Sequence, residues 1–185
     1  MTAHDHHPTT LTRRNALIAA SMLAASASLT RGSPSVLARQ GEQATPAVQG
    51  GVELAPGVWA EVFAGVPSAR AEGQTLYLGR FTFFPGSELF RHSHPGTTLV
   101  SVESGTLDWT LVAGTVYVVR GAAADSTETA EEFTEAGFEV VLEAGDALYY
   151  EDDVVHTARC AGDAPAILFG ALVLTSGEPL LMPMD

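Results

Sequence analysis

The chain has 185 residues, 46% of them hydrophobic, which is enough to bury one core and too few for several domains. Its formal charge is −13 at pH 7, with no lysine; beyond residue 38, six arginines stand against 21 acidic residues, a net of −15. A phosphate backbone needs clustered positive charge, so nucleic acid is excluded as a partner, and without lysine so is Schiff-base chemistry.

The first residues are polar and end in Thr12-Arg13-Arg14-Asn15. Residues 16–29 form an apolar run of small side chains, too short and too rich in alanine for a stable membrane span. Together with small-residue cleavage sites, this resembles a twin-arginine export signal. Cleavage after Ala27 (Ala25-Ser26-Ala27) and after Ala38 (Val36-Leu37-Ala38) both fit. Residues 1–38 are therefore expected to be a leader and the mature protein to be exported, periplasmic or extracellular, with membrane tethering if the leader is retained. Such a pathway carries folded proteins, so a metal could be loaded where availability rather than raw affinity decides its identity. Residues 39–51, polar and small, are expected to form a flexible linker, and residues 52–185 the domain.

Within the domain, apolar segments recur about every ten residues. Segments 58–63 and 75–84 are rich in aromatic and β-branched residues and predict strands. Leu107, Trp109 and Leu111 alternate with Thr106, Asp108 and Thr110, the pattern of a half-buried strand. Segments 116–119, 138–142, 147–150 and 167–174 supply further strands, with glycine, proline and aspartate at the turns. An all-β sandwich or barrel follows. Residues 121–137 break the rhythm: Asp125 lies three before Glu128 as a helix start and Gly137 stands as a stop. A short surface helix and an acidic hairpin tip both fit, and either is a solvated insertion. Cys160 is the only cysteine, so no intrachain disulfide forms; a lone cysteine commonly packs as a small hydrophobe.

Of six histidines, His4, His6 and His7 lie in the leader. The remaining three fall in two stretches, GSELFRHSHPGTTLVSVESG (86–105) and LEAGDALYYEDDVVHTARC (142–160). On a strand, His92 and His94 project from one face, and His156 on a neighbouring strand could complete one side of a coordination sphere.

The spacing of these stretches resembles the two motifs of the cupin superfamily. Gly86, His92, His94 and Gly105 fall on the marks of the first motif, with Pro95-Gly96 after the histidine pair; Gly145-Asp146 and His156 fall on those of the second. The two motifs and the strands between them cover roughly residues 80–160. The resemblance implies a single cupin (jelly-roll) barrel of two antiparallel sheets, with a pocket in which His92, His94 and His156 bind a divalent metal ion (Fe, Zn, Mn or Ni). It also implies a small-molecule ligand or substrate and, by analogy, a homodimer paired through outer strands. Where the family places a metal-binding glutamate this chain has Thr98; Glu151 and Asp153 replace the proline and glycine of the second motif, and Cys160 its terminal asparagine. The site that remains is similar to that of cupins, thiol dioxygenases among them, that hold iron with three histidines alone.

Three neutral imidazoles leave the ion's double charge uncompensated, which favours an anionic ligand, and they leave at least one position open, as catalysis requires. Iron(II) with oxygen chemistry and zinc as a Lewis acid both fit this donor set. Two residues stand as substitutes for the missing glutamate: Glu88, which has the strand parity of the histidines, and Thr98, which either bonds a metal-bound water or merely fills a strand position. Arg91 and Arg159 have outward parity, and Asp152 and Asp153 fall in a loop. Cys160 shares the parity of His156 and is expected to line the pocket, with Tyr149, Tyr150, Phe81, Phe83, Phe90 and Trp109 as an apolar wall. Three functions remain open at this point: an exported oxygenase acting on a small anionic substrate, a non-catalytic binding module, and a metal-free barrel that acts by self-association.

Overall fold

The computed structural model describes residues 50–121 and 129–185. The leader, most of the linker and the Asp125–Glu128 helix start lie outside the described residues.

Every regular element among the described residues is a strand. In chain order these are β1 (Val52–Ala55), β2 (Val58–Pro67), β3 (Gln74–Phe83), β4 (Glu88–Ser93), β5 (Gly96–Ser104), β6 (Thr106–Ala113), β7 (Val116–Val119), β8 (Glu131–Phe133), β9 (Glu139–Glu143), β10 (Ala147–Tyr150), β11 (Val155–Cys160), β12 (Ala166–Thr175) and β13 (Met182–Pro183). They form an eight-stranded sheet, β1-β2-β3-β12-β5-β10-β7-β8, and a five-stranded one, β13-β4-β11-β6-β9. Without the edge strands β1, β2, β7, β8 and β13, what remains is β3-β12-β5-β10 in one sheet and β4-β11-β6-β9 in the other. The chain crosses between sheets from β3 to β4, β4 to β5 and β5 to β6, then back again from β9 to β12. This is jelly-roll topology, and every pairing in it is antiparallel.

The sequence pattern explains the layering. In β6, Leu107, Trp109 and Leu111 are buried while Thr106, Asp108 and Thr110 are only partly covered. They meet Leu142 and Val140 of β9 on the same sheet, and Leu148, Leu168 and Leu172 from the other, in one continuous core. Strand β12 reads as unbroken apolar sequence yet alternates between buried and half-buried positions, because its outer face is apolar too. No helix forms in the described part of the 121–137 insertion. Glu131–Phe133 is an edge strand on β7, Phe133 stacks on Phe138, and Gly137 is a turn glycine at φ +86°.

Two turns fix where the strands that carry the site begin. Gly105 joins β5 to β6 at φ +79°, and a Cβ there would meet the Pro165 carbonyl oxygen at 2.3 Å, so only glycine fits. Asp146 lies just before β10 and is buried; its carboxylate accepts bonds from Arg120 Nη1 (2.7 Å), Gly121 N (2.9 Å) and Glu143 N (3.1 Å). Burial raises its pKa, but these donors outweigh that and hold it below the usual carboxylate value. The Gly145-Asp146 dipeptide is therefore a turn clamp that sets the register of the strand carrying Tyr150.

Candidate metal centre

Strands β4 and β11 are neighbours, and their register places His156 directly opposite His92. His94 lies one residue beyond the end of β4. All three imidazoles are buried, with ring centroids 4.2 Å apart for His92–His156, 5.0 Å for His92–His94 and 5.5 Å for His94–His156. One nitrogen from each lies within 4.8 Å of the others. Bonds near 2.1 Å to a common ion need nitrogens about 3.0–3.4 Å apart, a separation that lies inside the 4.8 Å bound.

Backbone carbonyls orient two of the rings. His92 Nδ1 bonds to the Phe90 carbonyl at 2.7 Å and His94 Nδ1 to the Leu180 carbonyl at 2.8 Å. A carbonyl only accepts, so each Nδ1 carries the proton and each Nε2 keeps its lone pair, as a metal ligand requires. His156 stacks on Trp109 with centroids 5.0 Å apart, and its Nε2 accepts from the Tyr150 hydroxyl at 3.3 Å. Its Nδ1 is buried without a well-formed partner.

The electrostatics agree with this donor set. Desolvation lowers the pKa of His92; desolvation first, and then the charge of His92, take His94 down to about 4. Desolvation also drives His156 well below the ordinary histidine value, helped by the two neighbouring rings and weakly opposed by the Val154 carbonyl. All three are therefore neutral at pH 7 and offer lone pairs with no proton to displace. Three convergent, neutral, oriented imidazoles fit a divalent first-row ion.

The expected wall is partly realised. Phe81, Phe83, Trp109 and Tyr150 line a cavity of about 40 Å³ around the histidines, together with Leu54 and Leu181, which sequence reasoning did not place there. Phe90 is instead exposed, because β4 has a bulge against β11: Leu89 and His92 pair inward while Phe90 and Arg91 both face out. The same extra residue reverses the parity of Glu88, which is exposed and does not approach the histidines. No aspartate or glutamate lines the cavity among the described residues. Tyr149 also points away, with its hydroxyl on Glu151 and its ring beside Tyr117. Cys160 is buried as expected, but its thiol faces the Gly162 and Ala164 carbonyls rather than the cavity. Arg91, Arg159, Asp152 and Asp153 are exposed, as their parity and loop position predict. Thr98 faces inward, 1% exposed, with an Oγ1 that has no well-formed partner.

No family model matches the chain, and no curated protein does. Solved structures similar to it include an RmlC-like cupin from Shewanella frigidimarina, 16% identical over 69% of this chain and 85% of that one, with a TM-score of 0.45. The KdgF protein of a Halomonas species is 15% identical over 67% of this chain and 86% of its own, also at 0.45. Oxalate decarboxylase from Bacillus subtilis is 20% identical over 69% of this chain but only 28% of its own, again at 0.45.

Proposed function

We propose that the chain is an exported cupin whose His92, His94 and His156 hold one divalent metal ion, and that it is an oxygenase-type enzyme acting on a small molecule. The observation that carries this is the convergence of three buried, neutral imidazoles, two of them locked by backbone carbonyls with Nε2 left free. The motif spacing and the jelly-roll topology support the kinship; the Arg13-Arg14 leader supports export. A bound ion of this class supplies a Lewis acid with an open position for a ligand oxygen, sulfur or enolate.

The chain's own residues do the rest. The three imidazoles fix the ion's place, and the apolar wall keeps bulk water from it. Tyr150, with its pKa raised well above the usual value by burial, stays protonated and serves as a hydrogen-bond donor at the site. The ion's charge, met by no carboxylate, draws an anionic atom of the ligand to the histidines. The outer face of the large sheet exposes Phe63, Val66, Leu76, Leu78 and Leu99, and we place the expected homodimer contact there.

Oxygen uptake over a panel of thiols, diketones and carboxylates tests the function, with light scattering on the same sample for the mass. Turnover that disappears in His92→Ala, and a doubled mass, are expected. Metal present with no uptake on any class would replace the enzyme with a binding module, and a monomer would remove the dimer.

A further inference from the structure

The cavity contains a second constellation that the metal site does not use. Thr98 on β5 and Tyr150 on β10 are direct partners in the sheet register, so their side chains rise side by side from one face. That face is the inner one, where they are 1% and 3% exposed. Thr98 Oγ1 is buried at the cavity wall with no hydrogen-bond partner of good geometry. The Tyr150 hydroxyl meets His156 Nε2 at 3.3 Å, which is long for an O–H···N bond, and that lone pair is the one a metal would take. Burial raises the Tyr150 pKa and the adjacent Thr98 hydroxyl partly offsets this, although Thr98 Oγ1 makes no bond of good geometry to it. Buried hydroxyls are normally satisfied, and a fold that keeps an unsatisfied one beside a cavity has a ready-made place for a ligand atom.

Two hydroxyl donors converging on one point match an oxygen with two lone pairs, which a carbonyl presents. The rest of the wall sets the character of the molecule around that oxygen. Leu54, Phe81, Phe83, Leu89, Leu168 and Leu181 line the cavity, and no arginine, aspartate or glutamate does so among the described residues. Away from the ion, a charge on the ligand would be buried without a partner, which is strongly disfavoured. The free space, about 40 Å³, admits only a compact body.

We propose that Thr98 and Tyr150 form an oxygen anchor, and that the cavity takes a compact carbonyl compound whose remaining body is apolar and uncharged. The proposal rests on the small-molecule function above, although the anchor itself needs no ion. It places Thr98, where the family motif has a ligand glutamate, on the substrate rather than on the metal.

The test is a titration of the full chain, as purified and after removal of metal by chelator, followed by NMR. The probes are acetone labelled with carbon-13 at the carbonyl, isobutene as the same shape without the oxygen, and acetate as the same shape with a charge. Thr98→Val and Tyr150→Phe are each expected to weaken ketone binding about fivefold and leave isobutene unchanged. The bound carbonyl resonance should move downfield, as hydrogen bonding to the oxygen requires, and acetate should leave the cavity signals of the metal-free protein unmoved. Ketone affinity unchanged in both variants, or acetate binding in the metal-free cavity, overturns the proposal. Should neither variant fold, the wild-type carbonyl shift decides: no downfield movement removes the anchor. Failure of the metal function shows up separately, as purified protein without metal that still binds the ketone.

Discussion

At the scale of single residues, the site is defined by how little water reaches it. His92, His94 and His156 are kept neutral chiefly by burial, and each lowered pKa ties stability to pH. Unfolded histidines take up protons below about pH 6.5, whereas the folded ones resist until about 4 in the case of His94. The unfolded state therefore binds more protons in this window, and stability falls as the pH drops through it. For His94 alone the shift corresponds to about 3 kcal/mol. Urea unfolding of the metal-free protein at steps between pH 7 and pH 4 should show a steady loss of stability below pH 6.5, shallower in His94→Gln. A flat profile would mean that the rings are hydrated or already charged. The three histidines were legible in the sequence because residues 52–185 contain no others. Glu88 was not, since one bulged residue in β4 reverses strand parity and no periodicity count registers it. The anchor role of Tyr150 was hidden for a related reason: its position opposite Thr98 depends on inter-strand register, which is set by the Asp146 clamp.

At the scale of elements, the C-terminal segment belongs to the site. Strand β13 adds only two residues to the edge of β4, pairing Met182 with Ser93 and Pro183 with His92. Just before it, the Leu180 carbonyl holds His94 Nδ1, and Leu181 closes the cavity. Removing residues 178–185 should leave the two sheets folded while freeing the His94 ring to rotate. Loss of such an orienting partner weakens metal binding by about 10–100-fold. Competition with a chromophoric chelator measures this; an affinity equal to that of the full chain would show that the tail is mere covering. The major strands were readable from alternation and turn residues: 116–119 and 147–150 coincide with β7 and β10. The short edge strands β1, β8 and β13 were missed: β8 and β13, of three and two residues, are too short to show a period, and β1 (VELA) lacks the aromatic and β-branched run that marks β7 and β10.

At the scale of the whole molecule, the jelly roll explains why ligands 62 residues apart in sequence are adjacent in space: β4 and β11 enter from opposite ends of the fold and pair at the centre of the smaller sheet. The larger sheet is apolar on both faces; in one row across it, Ala64, Leu78, Ala171, Leu99 and Tyr149 are consecutive partners. Its outer face exposes Phe63, Val66, Leu76, Leu78 and Leu99, the face where the homodimer contact is proposed. The proposed activity nonetheless depends on one ion shared by three imidazoles. X-ray absorption at the edge of the metal found in the purified protein addresses this directly. The account predicts three imidazole nitrogens at about 2.0–2.2 Å, with the outer-shell scattering of their rings, and one fewer in His156→Ala. A first shell of carboxylate and water oxygens, or a spectrum unchanged by that substitution, would contradict it.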